Sequence, residues 1–239
     1  MTDILNKKSG ISPVYALIIS PHPDDAELGI AGTIARWTRQ MKKVVYVVCT
    51  DGGKGTRDRS IQTEELAAIR RKEQEEAADK LGVSDIVFLN YPDQELEETS
   101  EFRERLVREI RRFKPEVVAT TDPYRRYIWH RDHRVTGQVA LDAVFPYART
   151  HLSYPGLLEE GFEPHRVKEM LFWGAENANY HVDITDTFDL KTEALKCHRS
   201  QYDTSASPGW FRWIRQAAME MAQGKPYELA ESFHRIQIR

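Results

Sequence analysis

Short apolar runs alternate with longer amphipathic segments along most of this 239-residue chain, and this alternation limits the fold more than any other feature. Each run is almost continuously apolar, as in strands whose sheet is covered on both faces. The predicted strands are Val14–Ile19, Val44–Thr50, Ile86–Leu89, Val117–Thr121 and Met170–Trp173. The helical patterns between them are Ile30–Met41, Thr63–Leu81, Glu101–Phe113 and Arg134–Val144. This order predicts an α/β fold with a mostly parallel sheet and helices on both faces.

The last third of the chain has a different pattern. Helical periodicity continues over Phe188–Tyr202 and Gly209–Met221. No linker, repeat or low-complexity segment separates this part from the rest. We therefore expect a single domain over residues 1–239, with a core at about 13–202 and a C-terminal helical extension at about 203–239. The dense charges of the segment 63–81 are typical of a solvated helix face.

Charge and cysteine content exclude several classes of partner. The formal net charge is −3, which does not favour binding to nucleic acid. No apolar run reaches the roughly 18 residues that a membrane-spanning helix needs, so we expect no membrane partner. Cys49 and Cys197 are isolated and indicate buried thiols in a reducing compartment. The prediction is a cytoplasmic protein.

Two polar clusters are predicted to follow strands. His22-Pro23-Asp24-Asp25 comes after the first strand, and His130-Arg131-Asp132-His133 comes after the fourth. Open α/β sheets bind ligands at the carboxyl ends of their strands. Two imidazoles and one carboxylate form a three-ligand set for a divalent metal such as zinc, and the fourth position then stays open for water.

Two groups remain beside such a metal set. Asp24 is placed to take a proton from the activated water. One histidine of the second cluster, held by Asp132, is placed to face the developing oxyanion as a cation or to donate to the leaving group.

Other interpretations stay open at this point. An Asp-Asp pair is often a helix N-cap, and His22-x-Asp24 with a distant histidine also fits the facial triad of non-haem iron oxygenases. A metal-dependent sugar-binding protein is a third alternative, although pure binding needs no spare base. The turn after the first strand lacks G-x-G-x-x-G, which argues against nicotinamide binding.

The motifs His22-Pro23-Asp24-Asp25, with Gly29 after it, and His130-x-Asp132-His133 resemble the two signatures of the PIG-L/LmbE-like family of zinc-dependent deacetylases. The resemblance extends from about Val14 to Gln201. It implies a Rossmann-like fold and removal of the N-acetyl group from an N-acetylglucosamine-type sugar or glycoconjugate by a zinc-bound water. It also implies that His22, Asp25 and His133 bind the metal, that Asp24 is the general base, and that His130 stabilises the tetrahedral intermediate or protonates the leaving amine.

Weaker matches suggest substrate contacts. Arg70-x-x-Glu73 and Pro92-Asp93-x-x-Leu96 resemble family segments, so Arg70 and Asp93 are predicted to bind substrate, with Arg71 as a competitor for Arg70. The chain is also similar to the diacetylchitobiose deacetylase branch. That similarity implies a homo-oligomer, possibly a hexamer, in which His234 reaches a neighbouring active site.

The substrate and the metal are not fixed by these patterns. Another N-acyl conjugate, such as a thiol-precursor glycoside or an acylated antibiotic, fits the same chemistry. The same ligands accept zinc, iron or manganese. His151, His165, His181 and His198 have no partner at useful spacing, and the sequence assigns them no role.

Overall fold

The computed structural model describes residues 12–127, 130–202 and 209–238. A seven-stranded sheet runs through it in the order β3-β2-β1-β4-β5-β7-β6. The strands are β1 (Ala16–Ser20), β2 (Val44–Thr50), β3 (Asp85–Tyr91), β4 (Val117–Thr121), β5 (Glu169–Trp173), β6 (Tyr180–Asp183) and β7 (Ala230–Gln237). The helices are α1 (Asp25–Arg39), α2 (Thr63–Leu81), α3 (Ser100–Phe113), α4 (Arg131–Val144), α5 (Pro155–Glu159), α6 (Phe188–Leu195) and α7 (Trp210–Met221).

The first five strands are parallel, and the last two join antiparallel. β1 lies between β2 and β4, with Leu17 opposite Val45 of β2 on one side and Val118 of β4 on the other. The strand order reverses between β1 and β4, which makes their carboxyl ends the switch point where an α/β sheet binds its ligands. Both polar clusters lie at this point.

The sheet is covered on both faces. Within β1, Ala16 and Ile18 belong to one buried apolar cluster, and Leu17 and Ile19 belong to the other. The first cluster packs against α1 and α6, and the second packs against α3 and α4. This two-sided burial explains why the strands are continuously apolar, and it confirms the predicted single-domain α/β fold.

The C-terminal segment corrects the prediction of a helical extension at 203–239. Helix α7 is present, but residues 230–237 form β7, which lies between β5 and β6 and pairs antiparallel with both. Helical periodicity does not reveal β7 because its polar residues interrupt the apolar pattern. Glu231 is buried there since its carboxylate accepts the N–H groups of Gly32 and Thr33 in α1 and pairs with Lys191 at 2.7 Å.

Helix boundaries also differ from those predicted, most of all in α1 and α6. Helix α1 begins at Asp25 rather than near Ile30, so the His-Pro-Asp-Asp segment leads directly into its first turn. Helix α6 ends at Leu195, and irregular chain follows up to Tyr202. Among the described residues, no helix is both long enough and apolar enough to cross a membrane.

Candidate active site

The imidazole of His22 lies at the centre of the polar cluster and has carboxylates at both ring nitrogens. Nδ1 lies 2.9 Å from Asp25 Oδ2. Nε2 lies 3.1 Å from Asp132 Oδ2 and 3.2 Å from Asp93 Oδ1. The side chain is buried, and the turn after β1 fixes it because Ser20 donates its hydroxyl to the His22 carbonyl.

The second motif brings its imidazoles to the same place. His133 Nε2 lies 3.3 Å from Asp25 Oδ2, so one carboxylate oxygen contacts both His22 and His133. The predicted ligand set of His22, Asp25 and His133 thus converges. Ring nitrogens of His22, His130 and His133 also lie within 4.8 Å of one another, so His130 is within reach of the same point.

The side chains of the cluster shift one another's pKa values. Burial opposes a charge on His22, but the hydrogen bonds to Asp132 and Asp25 and the nearby Asp93 carboxylate outweigh burial and raise the pKa of His22. Burial alone would raise the pKa of Asp25. The charges and hydrogen bonds of His133 and His22 outweigh burial and hold the pKa of Asp25 well below its usual range. Burial likewise opposes ionisation of Asp93, but His22 lowers the pKa of Asp93 to about 2. The carboxylates are therefore anionic and surround the imidazoles.

Asp24 occupies a strained backbone position at the start of α1. Its φ is 103° and its ψ is −25°, a left-handed conformation that is uncommon for a residue with a side chain. Its carboxylate accepts a hydrogen bond from Arg70 at 3.1 Å, and its N–H donates to the Gln74 side-chain oxygen at 3.1 Å. Burial raises the pKa of Asp24, and Arg70 opposes that rise. Such strain at a polar site is typical of a functional residue.

Asp132 is in the cluster, but it does not hold His130 as the sequence interpretation expected. Its carboxylate contacts His22 and accepts the backbone N–H groups of Gln94 and Leu96. The link to His130 runs through the backbone, because the Asp132 N–H donates to His130 Nδ1 at 3.3 Å. The neutral ring of His130 therefore carries its proton on Nε2.

The charge state of His130 also differs from the expected cation. Burial lowers the pKa of His130, and the nearby His22 and His133 lower it further. His130 is thus a neutral imidazole in this cluster, with a hydrogen-bond donor at Nε2.

The predicted substrate contacts fall in three different settings. Asp93 is inside the cluster, and its Oδ2 accepts the Lys54 N–H at 3.1 Å. Arg70 is 4% exposed and binds protein oxygens, whereas Arg71 lies on the surface and pairs with Glu75 at 3.3 Å. Of the two arginines, Arg70 is therefore the one that reaches the site.

His234 lies apart from these residues. It is in β7 opposite Phe172, and its Nδ1 is 3.1 Å from the Asn177 carbonyl. Within the described part of the chain, it forms no hydrogen bond or ion pair with the cluster. Its contribution to a neighbouring active site stays a prediction from the resemblance.

The donor set fits a divalent cation. The carboxylates of Asp24, Asp25, Asp93 and Asp132 lie at the three imidazoles, and among the described residues Arg70 is the one guanidinium bonded to them. Such a concentration of buried anionic groups is costly unless positive charge balances it. Asp93 Oδ1 is buried without a hydrogen bond of good geometry. Imidazole nitrogens with carboxylate oxygens are ligands that zinc, iron and manganese accept.

Comparison with known proteins identifies the family. The family model described as GlcNAc-PI de-N-acetylase, PIG-L, matches residues 17–144, which is more than half of the chain. The chain belongs to the PIG-L family. The matched segment contains both polar clusters, so the resemblance predicted from the motifs is confirmed.

Known proteins similar to this chain match about nine tenths of it. Diacetylchitobiose deacetylase of Thermococcus kodakarensis is 34% identical over 90% of this chain and 80% of its own length. The structure of N,N'-diacetylchitobiose deacetylase from Pyrococcus horikoshii, solved with an inhibitor, superposes with a TM-score of 0.89 at 37% identity, and the match covers 93% of this chain and 84% of that one. Mycothiol S-conjugate amidase of Streptomyces coelicolor is 27% identical over 90% of this chain and 91% of its own length.

The sequence interpretation missed the polar residues behind Asp24. Gln74, Glu27 and His198 are fully buried and connected to one another by hydrogen bonds. His198 received no role because its partner, Glu27, is 171 positions away in the sequence. The only available signal was the charge-rich pattern of α2, which was interpreted as a solvated face. In the structure, Arg70, Glu73 and Gln74 of that helix are buried.

Proposed function

We propose that this protein is a metal-dependent hydrolase that removes the N-acetyl group from an N-acetylglucosamine-type sugar or glycoconjugate. The observation that carries the proposal is the convergence of His22, Asp25 and His133 next to a buried, strained Asp24 that does not belong to the ligand set. A site for binding alone has no need of the spare carboxylate. Membership of a deacetylase family supports the same reaction.

In this proposal, His22, Asp25 and His133 hold the metal, and zinc is the expected ion. A divalent metal at this position supplies Lewis acidity, which polarises an amide carbonyl and lowers the pKa of a bound water. Asp93 and Asp132 contact His22 from the far side and fix the orientation of its ring.

Asp24 is the proposed general base. Its carboxylate accepts the proton of the attacking water while the new C–O bond forms at the acetyl carbon. Burial, which raises the pKa of Asp24, makes its carboxylate a stronger base than an exposed aspartate. When the C–N bond breaks, the electron pair stays on nitrogen, the amine takes up the proton that Asp24 accepted, and acetate is the second product.

His130 is the proposed donor towards the developing oxyanion. Its Nδ1 accepts the Asp132 N–H, which leaves the Nε2–H free to point at substrate. This role differs from the protonated His130 of the sequence interpretation, because a neutral ring donates a hydrogen bond without carrying a positive charge. Asp93 and Arg70 remain the proposed substrate-side contacts.

The test is acetate release from N-acetylglucosamine and from diacetylchitobiose by the purified protein. We expect a chelator to abolish release and added zinc to restore it. Asp24→Asn should keep wild-type metal content and lose about 10²- to 10⁴-fold in turnover, the usual contribution of a general base. Wild-type turnover in that variant would remove Asp24 from its role.

Metal content tests the ligand set separately. His133→Ala should bind far less zinc by elemental analysis. The matched control is His165→Ala, which removes a histidine bonded to the Pro115 carbonyl outside the cluster and should leave the zinc content unchanged. Full occupancy in His133→Ala would contradict the ligand assignment.

A second substrate class has support from the comparisons. The relative from Streptomyces coelicolor is a mycothiol S-conjugate amidase, so the same site in this chain is a candidate for hydrolysing another N-acyl conjugate of an amino sugar. Zinc binding without acetate release from either test sugar, together with cleavage of a larger N-acyl glycoside, would favour this alternative.

A further inference from the structure

A chain of buried polar side chains extends from Asp24 into the protein interior. The Asp24 N–H donates to Gln74 Oε1 at 3.1 Å, and Gln74 Nε2 donates to Glu27 Oε1 at 3.0 Å. The other carboxylate oxygen of Glu27 lies 3.2 Å from His198 Nε2. We call Gln74, Glu27 and His198 the brace. Its members come from α2, α1 and the turn after α6, so three separate segments meet behind one residue.

The side-chain amide of Gln74 satisfies both of its partners in only one orientation. A backbone N–H requires the amide oxygen of Gln74, and the carboxylate of Glu27 requires its NH₂ group. Both demands are met by the same amide orientation. All three side chains have 0% exposure, so no water replaces a lost partner without a rearrangement. Burial disfavours a charge on His198, but the Glu27 carboxylate outweighs burial and raises the pKa of His198, which strengthens that contact.

Asp24 needs such support because of its backbone. A residue with a side chain in a left-handed conformation carries a cost and keeps it only where the surroundings hold it. The described hydrogen bonds give the Asp24 N–H one acceptor, the side chain of Gln74. Its carboxylate is held separately by Arg70. Arg70 and Gln74 lie four residues apart on the same face of α2. One helix therefore forms hydrogen bonds with both the side chain and the backbone N–H of Asp24.

We propose that the brace of Gln74, Glu27 and His198 positions Asp24 for its role as general base. Gln74, Glu27 and His198 are positioning residues, since each acts on the reaction through Asp24 and its backbone. This inference rests on the proposed function for its kinetic consequence, but the restraint on the Asp24 backbone is a property of the chain itself. A small displacement of a reacting group costs a large factor in rate, so loss of the brace should lower kcat and leave KM nearly unchanged.

The first test compares two variants of neighbouring residues on α2. Gln74→Met removes the amide while keeping the length of the side chain. Glu73→Met is the matched control, because Glu73 is equally buried but accepts hydrogen bonds from the N–H and hydroxyl of Ser200. We expect Gln74→Met to lower kcat by about 10- to 100-fold with KM within about twofold of wild type and unchanged zinc content. Glu73→Met should lose thermal stability and retain kcat.

Amide hydrogen exchange provides a readout that does not depend on activity. The Asp24 N–H should exchange slowly in wild type and in Glu73→Met, and markedly faster in Gln74→Met. If wild type releases no acetate from any N-acetyl sugar, the proposed function fails, and this exchange measurement still decides whether the brace exists. Equal Asp24 exchange in wild type and Gln74→Met would overturn the inference, as would equal losses of kcat in Gln74→Met and Glu73→Met.

The far end of the brace supplies a second test, which also applies if Gln74→Met does not fold. His198→Gln keeps a donor for Glu27, whereas His198→Leu removes it. We expect His198→Gln to retain most of the wild-type kcat and His198→Leu to lose at least about fivefold at similar KM, which corresponds to about 1 kcal/mol in the barrier. Identical kcat values in these two variants would show that the Glu27–His198 contact does not act on Asp24.

Discussion

Replacing Arg70 tests whether this residue stabilises the folded protein or contacts the substrate directly. The guanidinium donates to the Gly52 carbonyl at 2.9 Å, to the Pro23 carbonyl at 2.5 Å and to Asp24 at 3.1 Å. Its side chain is 4% exposed. In Arg70→Met the Asp24 carboxylate stays buried and loses its cationic partner, and removal of one member of a buried ion pair typically costs about 3–5 kcal/mol. For a chain of this size, that cost corresponds to a decrease of about 6–20 °C in Tm.

The adjacent residue is the control. Arg71 is half exposed, pairs with Glu75 at 3.3 Å and stacks over the Phe88 ring at 4.0 Å. Exposed contacts of these kinds contribute about 1 kcal/mol or less, so Arg71→Met should lower Tm by less than about 4 °C. Differential scanning calorimetry measures both variants under identical conditions. Equal Tm values for Arg70→Met and Arg71→Met would refute the conclusion that the buried ion pair of Arg70 with Asp24 stabilises the fold.

The kinetics of Arg70→Lys then distinguish its two possible actions. Lysine keeps the positive charge but lacks the planar fork that reaches three acceptors at once. If Arg70 acts by holding Asp24 and the turn around it, kcat falls and KM changes little. A rise in KM at constant kcat would instead identify Arg70 as a direct substrate contact.

Three further predictions concern stability. Gly29→Ala would place a Cβ 2.5 Å from ring atoms of Trp173 and should cost about 1–3 kcal/mol, whereas Gly156→Ala meets nothing within 4 Å and should leave Tm nearly unchanged; similar Tm values for the two would contradict this. Burial lowers the pKa of His165 below its usual 6.5, so the unfolded chain takes up the proton first and acidification from about pH 7 to about pH 5 destabilises the fold. His165→Gln, which keeps a donor for the Pro115 carbonyl, should flatten that part of the profile in urea titrations, and an unchanged slope would refute the assignment. Chelation should lower Tm and added zinc should restore it in a concentration-dependent way; a Tm that does not respond to either would show that no metal binds the folded state.

The parallel half of the sheet was predictable because burial on both faces leaves a simple pattern. Ile18 and Ile19 point to opposite sides of β1, and both sides are apolar. β7 and β6 were not predictable in this way. β7 contains Glu231, His234 and Arg235, and its pairing with β5 and β6 depends on partners that lie about fifty or more positions away. A strand whose polar residues are satisfied by distant elements has no local signal.

The same distinction applies to the site. The convergence of His22, Asp25 and His133 was predictable because the two motifs follow neighbouring parallel strands, whose carboxyl ends meet at one edge of the sheet. The contacts of Asp132 and His130 were not, since sequence proximity suggested a carboxylate–imidazole pair where the structure has a backbone N–H donating to the ring. A motif specifies which groups are present, and tertiary packing decides which atoms of those groups meet.

Helix α2 shows how buried polar residues escape pattern analysis. Its buried face is a regular helical stripe that begins at Leu66 and ends at Leu81. The middle of that stripe consists of Arg70, Glu73 and Gln74, where an amphipathic helix normally has apolar residues. Read alone, the charges therefore indicate a solvated face. Since burying such groups is unfavourable unless each has a partner, their position requires polar groups opposite them, and Asp24 with its strained backbone is what Arg70 and Gln74 meet there. A charged stripe in register with the apolar stripe of a helix is thus a sequence signal for a buried polar site.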